Sequence, residues 1–503
     1  MRGTIRGHWN CAVRARCFTL FLLLLLVALG ACSDGSAPSR PPAGEQLPLQ
    51  SGDCSVGLQQ AELLGWMRDW YFWSSAIPES FRFPESTTAP GVPDVGAMLA
   101  SFEALRFRGN DKAPADRWSY VSDTARTNLY FDEGYALGYG VSVAGQDSDP
   151  LPLRIRWIEP LSPAATEGLA RGDVVETMQG RSAKSWKEAR DFSPLVANQA
   201  GDELVLEVRR GVSLRRVVLR ADLYPITSVL DFKADALWSS ANGNRAGYVF
   251  LKDFIDTARQ PLALVLQELQ RAQLKDLVLD LRYNGGGRVD FTRQVASAMV
   301  GQRLYGEVFT RLVYNVRQPE AEFAYLFADP RPLASLGLER LVVLTGPRTC
   351  SASELLINGL KARTPSLSVG VVGERSCGKP YGFIPRASCG LTYNAVNFTT
   401  LNARGEANYA NGMLPDCQVR DQYQDPLGST EEALLSAARQ WLDQGSCPAA
   451  PPVLGPSVLR GSPTSEGRES PAAPAFARPV QDGDIPRGLV GRESAPRAPA
   501  GPR

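Results

Sequence analysis

The sequence predicts a multidomain α/β chain with three parts: a helical N-terminal segment, a β-rich middle domain, and a C-terminal α/β core on a mostly parallel, covered sheet. Three observations carry this. Between about 224 and 447, buried apolar runs such as Leu277-Val278-Leu279-Asp280-Leu281 and Leu341-Val342-Val343-Leu344 alternate with helical patterns, as parallel strands joined by crossover helices do. Between about 134 and 222, short strands are separated by glycine turns. Ahead of both, Leu63, Leu64, Trp66, Met67, Trp70, Tyr71 and Trp73 suit an amphipathic helix with an aromatic face, read as core packing. At 503 residues, 44% hydrophobic and 21% charged, the chain can bury two or three domain cores. Its 54 Lys+Arg balance 53 Asp+Glu with no concentrated basic face, which argues against nucleic acid as a partner.

From the N-terminus, Arg2, Arg6, Arg14 and Arg16 form a cationic region without acidic residues, followed by the apolar run Phe18 to Leu29 and then Gly30-Ala31-Cys32. The run is too short for a spanning helix and reads as a secretory signal over 1–31. Leu29-Gly30-Ala31-Cys32 resembles the bacterial lipobox, which implies lipidation of Cys32 and a place on the periplasmic side of the envelope. Ser33, rather than Asp, leans towards the outer membrane. The alternative is an ordinary signal cleaved near Ala31, with Cys32 a free thiol. Removal of 1–31 leaves 472 residues, a net charge of −3 and no histidine, since His8 is the only one in the chain. A mature chain without imidazole excludes Ser-His-Asp and Cys-His catalysis and His-ligated zinc.

Residues 32–53, rich in Pro, Ser and Gly, read as a tether. The 54–133 segment is the helical part. The 134–222 domain runs from Leu137-Gly138-Tyr139-Gly140 through the alternating Arg154 to Ile158, then Ser162-Pro163-Ala164-Ala165, Gly168-Leu169 and Gly172-Asp173-Val174-Val175. This order resembles a PDZ domain, which implies that backbone N–H groups of the loop Leu137, Gly138, Tyr139 and Gly140 capture a peptide carboxylate while the peptide adds to an open strand edge. The other reading is a small β domain whose glycines only shape turns. The 223–447 core follows, and 448–503 reads as a disordered Pro/Ala/Gly-rich tail. Six cysteines remain after the signal and Cys32: Cys54, Cys350, Cys377, Cys389, Cys417 and Cys447. An even number in an exported chain suggests disulfides of unassigned pairing.

Three core segments carry candidate chemistry. Thr349-Cys350-Ser351-Ala352-Ser353-Glu354 sits between a buried strand and a helix, where Ser351 could be a nucleophile facing free helix N–H groups, or the first residue of an S-x-x-E capping box. Asn284-Gly285-Gly286-Gly287 could supply an oxyanion N–H, bind phosphate or simply turn; no Walker lysine follows it. Lys379, in Cys377-Gly378-Lys379-Pro380, is either a solvated turn residue or, if desolvated, the general base that histidine cannot be.

Together, D-L-R-x-N-x-G-G, then S-A-S-E, then G-K after the next strand, all downstream of the PDZ-like segment, resemble the C-terminal processing peptidases, or tail-specific proteases. The resemblance covers roughly 54–430. It implies Ser351 as nucleophile, Lys379 as general base, the N–H groups of Ala352 and a glycine of 285–287, above all Gly286, as oxyanion hole, and Asp280 and Arg282 as supports of the turn. Glu354 is either an auxiliary near the lysine or the completion of the capping box. The substrate implied is a protein or peptide held by its C-terminus; no metal or cofactor is expected. Two departures stand out. Many members carry a glutamine four residues after the lysine, where this chain has Phe383, and Cys350 and Cys377 flank the dyad closely enough to bridge if Ser351 meets Lys379. A non-catalytic peptide-binding lipoprotein with a degenerate protease core, or a dyad hydrolase acting on other esters or amides, are the alternatives.

Overall fold

The computed structural model describes residues 53–83, 93–110, 115–145, 152–230 and 237–447. The expected signal, Cys32, nearly all of the tether and the tail lie outside the described residues.

The fold is mixed α/β with several sheets. A six-stranded sheet runs in the order Leu237–Ser239, Arg245–Phe250, Asp276–Asp280, Arg340–Thr345, Ser368–Gly373, Cys417–Gln418. Every pairing except the first is parallel. Alternate side chains serve different cores: Leu277, Leu279, Leu341 and Val343 pack with the helices Arg259–Arg271, Val289–Val300 and Ala352–Lys361. Val278, Val342 and Leu344 pack with the helix Ala433–Gln444 on the other face. Burial of both faces is why these strands read as unbroken apolar runs instead of alternating ones.

The sequence reading did not anticipate a second, antiparallel sheet, Phe323–Leu326, Val308–Tyr314, Phe398–Leu401 and Tyr381–Gly382. The N-terminal segment is also not purely helical. Its aromatic face is core, as expected: Trp66, Met67 and Tyr71 bury against Phe102, Trp118, Tyr393 and Val396. Its strand Tyr120–Asp123, however, pairs antiparallel with Leu391–Asn394, and the Cys54–Cys389 disulfide, Cα atoms 5.7 Å apart, ties the same regions across 335 residues.

The middle domain is an antiparallel sheet in the order Val141–Ala144, Arg154–Ile158, Val174–Met178, Glu203–Arg210, Ser213–Arg220, with its own core of Val143, Ile155, Leu204, Leu206 and Leu219. Val141–Ala144 is the terminal strand, so among the described residues one of its edges is unpaired. Leu137 and Gly138 belong to a ladder opposite Leu223 and Asp222, which narrows the expected four-residue loop to a turn at Tyr139-Gly140.

Candidate active site

Three adjacent parallel strands, Asp276–Asp280, Arg340–Thr345 and Ser368–Gly373, deliver the three candidate segments from their carboxyl ends, the edge where open α/β sheets gather ligands. Hydrogen bonds knit the emerging loops. Thr349 Oγ1 donates to Leu281 O at 2.8 Å, Cys350 N to Asn284 O at 3.0 Å and Cys377 N to Thr349 O at 3.0 Å. Ser353 Oγ donates to Asn284 O at 3.1 Å.

Ser351 occupies the turn itself. Its φ of +55° with ψ of −114° is a conformation that non-glycine residues avoid at a cost of about 1–3 kcal/mol. Immediately after it begins the helix Ala352–Lys361, whose first N–H, that of Ala352, has no carbonyl one turn earlier to accept it. Ser351 is half-buried while the helix behind it is buried as far as Leu360, so the side chain stands at the rim of the core.

Glu354 does more than cap. Its buried carboxylate accepts from Ser351 N at 2.9 Å through Oε2, which is the reciprocal half of a capping box. It also accepts from Gly378 N at 2.8 Å, Lys379 N at 2.8 Å and the Ser376 hydroxyl. One carboxyl group therefore joins the serine turn to the lysine turn. Burial pushes it up to about 7, against these hydrogen bonds, which favour the ionised form. The Cys350–Cys377 disulfide adds a covalent link between the same turns, with Cα atoms 5.2 Å apart. Cys350, Glu354 and Cys377 are the one group of three metal-ligating side chains among the described residues, but both sulfurs are spent on that bridge.

Lys379 is half-buried, its Nζ 4.2 Å from the centre of the Phe383 ring. Trp118 of the N-terminal segment donates from Nε1 to Gly378 O at 2.9 Å. Sequence reasoning missed Trp118 because nothing local distinguishes it from its aromatic neighbours.

The glycine turn faces the serine turn. Gly286 has φ +106°, and a Cβ there would lie 2.8 Å from Ser351 Cβ and 3.0 Å from Ala352 N, so only glycine permits this approach. Its N–H, expected at the oxyanion hole, donates here to Asn284 Oδ1 at 2.8 Å. Behind the turn, Arg282 is fully buried. It chelates Glu432 through Nη1 and Nη2 at 2.7 and 2.8 Å and contacts Asp280 from Nε at 3.0 Å, while the Tyr248 hydroxyl donates to Asp280 Oδ2 at 2.7 Å. Asp280 and Arg282 thus anchor the turn, as the resemblance implied. Arg171 of the middle domain and Tyr283 both bond Asp421, which fastens that domain to the same turn. A cavity of about 230 Å³ touches Tyr139, Gly140 and Ser142 of the middle domain together with Lys252, Gly285 and Arg348 of the core.

Residues 245–419 match the family model described as Peptidase family S41. These residues carry a peptidase family S41 domain. Proteins similar to this chain include carboxyl-terminal-processing peptidase 2, chloroplastic, of Arabidopsis thaliana, 24% identical over 251 residues, covering 49% of this chain and 46% of the relative. Another is carboxy-terminal processing protease CtpA of Bacillus subtilis (strain 168), 24% identical over 303 residues and 59% of each chain. The match spans about half the length of the curated relatives. The crystal structure of a candidate S41 protease from Bacteroides fragilis NCTC 9343 has the same fold, with a TM-score of 0.55 at 22% identity over 78% of this chain and 98% of that one.

Proposed function

We propose that this chain is a serine endopeptidase of the S41 family in which Ser351 is the nucleophile and Lys379 the general base. The observation that carries the reading is the positive-φ Ser351 on a strand-to-helix turn, bound through Glu354 and the Cys350–Cys377 disulfide to the turn that bears Lys379. Ser351 Oγ attacks the scissile carbonyl carbon as its proton passes to the neutral Lys379 amine. The oxyanion is received by Ala352 N–H and by Gly286 N–H, the latter released from Asn284 Oδ1. The Lys379 ammonium then protonates the leaving amine; a water that gives its proton to the neutral Lys379 amine attacks the acyl carbon, and that proton returns to Ser351 Oγ as the acyl–oxygen bond breaks.

The middle domain, PDZ-like in strand order, holds the substrate C-terminus at the Tyr139-Gly140 turn, with the peptide added along Val141–Ala144. The shared cavity favours this, since it leads from that turn to Gly285. We further propose export and anchoring by lipid at Cys32 on the periplasmic side of the outer membrane.

Incubation of the mature protein with an unfolded protein substrate, beside Ser351→Ala and Lys379→Ala, tests the dyad. Cleavage by the wild type alone is expected; equal cleavage by all three would reject it, and binding without cleavage by the wild type would make the chain a peptide-binding protein instead. Incorporation of a lipid precursor should vanish in Cys32→Ser.

A further inference from the structure

The cavity that joins the Tyr139-Gly140 turn to Gly285 has a charge as well as a shape. Three cations line it, Arg126, Lys252 and Arg348, against two carboxylates, Glu159 and Asp253. Both carboxylates are committed to one of the cations: the buried Lys252 Nζ lies 2.9 Å from Glu159 Oε1 and also pairs with Asp253 Oδ2. Their other oxygens are occupied too, Asp253 Oδ1 by the Tyr130 hydroxyl at 2.6 Å and Glu159 Oε2 by Thr227 N at 3.1 Å. The excess positive charge of the lining therefore resides with the arginines. Arg348 stands three residues before Ser351, on the core side. Arg126 comes from the N-terminal segment, on the short helix Thr124–Asn128, where Asp123 Oδ1 accepts from its backbone N at 2.8 Å. Its guanidinium crosses to the middle domain and donates to Ala197 O at 3.2 Å and to Asn198 O, beside Leu195 and Val196 of the same lining. Both acceptors are neutral, so among the described residues no carboxylate matches this half-buried charge.

We infer that Arg126 is a specificity-determining residue: its guanidinium receives an Asp or Glu side chain from the last few residues of the substrate. This rests on the reading that the middle domain holds the substrate C-terminus in this cavity. In that reading the terminal carboxylate goes to the Tyr139-Gly140 turn, so the carboxylate left for the arginine belongs to a side chain. A guanidinium carries five N–H groups, of which the two carbonyls engage two, and its planar fork suits a carboxylate better than an ammonium does. Inside a partly enclosed cavity the attraction is also screened less by salt than at an open surface. The contact lies in the capture of the substrate, away from Ser351, and so it sets which chains are held and leaves the chemical step alone. The N-terminal segment thereby contributes to substrate choice as well as to packing.

The test measures binding of fluorescent peptides to the mature Ser351→Ala protein by anisotropy. The peptides share an apolar C-terminal residue and carry either Asp or Asn at each of the preceding few positions in turn, and each is made as the free acid and as the amide. At one position Asp is expected to bind about tenfold tighter than Asn. Adding Arg126→Gln should bring that ratio close to one, Arg126→Lys should keep part of it, and Arg126→Glu should turn the preference towards Lys at the same position. Loss of the Ala197 and Asn198 contacts weakens every peptide alike, so the Asp-to-Asn ratio reports the carboxylate contact separately from any structural role. In the protein with Ser351 intact, the same preference should appear in KM with kcat nearly unchanged. Peptides that bind with no Asp preference, or a preference that survives Arg126→Gln, would overturn the proposal and leave C-terminal capture standing. A response of Arg126→Gln only to the exchange of acid for amide would also overturn it, by assigning the arginine to the terminal carboxylate. Failure of every peptide to bind would reject capture in this cavity and the proposal with it.

Discussion

Replacement of Glu354 by glutamine probes the junction of the two turns. The carboxyl is fully buried, and its value of about 7 in the folded chain compares with 4.5 for an unperturbed glutamate. The folded state therefore holds this proton more tightly than the unfolded chain. The resulting stabilisation is complete below about pH 4.5 and is lost as the pH rises through 7. The difference of about 2.5 units corresponds to roughly 3 kcal/mol. Glutamine cannot ionise, so wild type minus Glu354→Gln in unfolding free energy should fall by that amount between pH 4.5 and 7.5. Other titrating groups cancel in the difference. Urea unfolding of both proteins, followed by tryptophan fluorescence with disulfides intact, measures it. The variant should also lose activity at pH 7, on the order of 10- to 100-fold in kcat, because an amide cannot accept from Ser351, Gly378 and Lys379 N–H groups together. A difference that stays flat over this range would refute the argument that a buried, ionising carboxylate joins the turns at the expense of stability.

Gly286→Ala places a methyl 2.8 Å from Ser351 Cβ and 2.9 Å from Cys350 O; the expected result is a loss of at least about 100-fold in kcat with peptide binding retained, measured by steady-state kinetics beside a binding assay. The double variant Cys350→Ser, Cys377→Ser opens a loop of sequence separation 27 and should cost about 3.5 kcal/mol of stability in chemical unfolding. Its activity should no longer respond to dithiothreitol in a window where the wild type slows. Arg282→Ala leaves Glu432 and Asp280 buried without their cation, and should destabilise the chain by about 3–5 kcal/mol in the same assay.

Much of the core was legible because its physics is local. The strands at 276 and 340 announce themselves through unbroken apolar runs that only a sheet buried on both faces requires, and the serine, lysine and glycine turns through short motifs. The Cys350–Cys377 bridge could be anticipated only on condition that the dyad forms. What escaped is non-local. Tyr120–Asp123 is four residues long and finds its partner strand some 270 positions away, so no periodicity marks it. Leu137 and Gly138 read as a loop because glycine suggests a turn, yet their partners at Asp222 and Leu223 draw them into a ladder. The hold of Asn284 on Gly286 N–H and the convergence of Arg171 and Tyr283 on Asp421 depend on side chains that meet only once three loops and two domains have assembled. The approach of Lys379 Nζ to the Phe383 ring, 4.2 Å from its centre, is likewise marked by no local pattern.

The Cys54–Cys389 bridge encloses most of the chain in one covalent ring. A single backbone cut between those cysteines separates no fragment as long as the disulfide stays oxidised. Among the described residues no bridge spans the chain between 389 and 417, and a cut there frees the segment that carries Glu432, Asp421 and the Ala433–Gln444 helix from any covalent tie to the serine and lysine turns. Backbone cleavage thus has unequal consequences along the chain: a cut between Cys54 and Cys389 is held together, whereas a nick just after Cys389 puts the support of Arg282 at the mercy of non-covalent contacts alone.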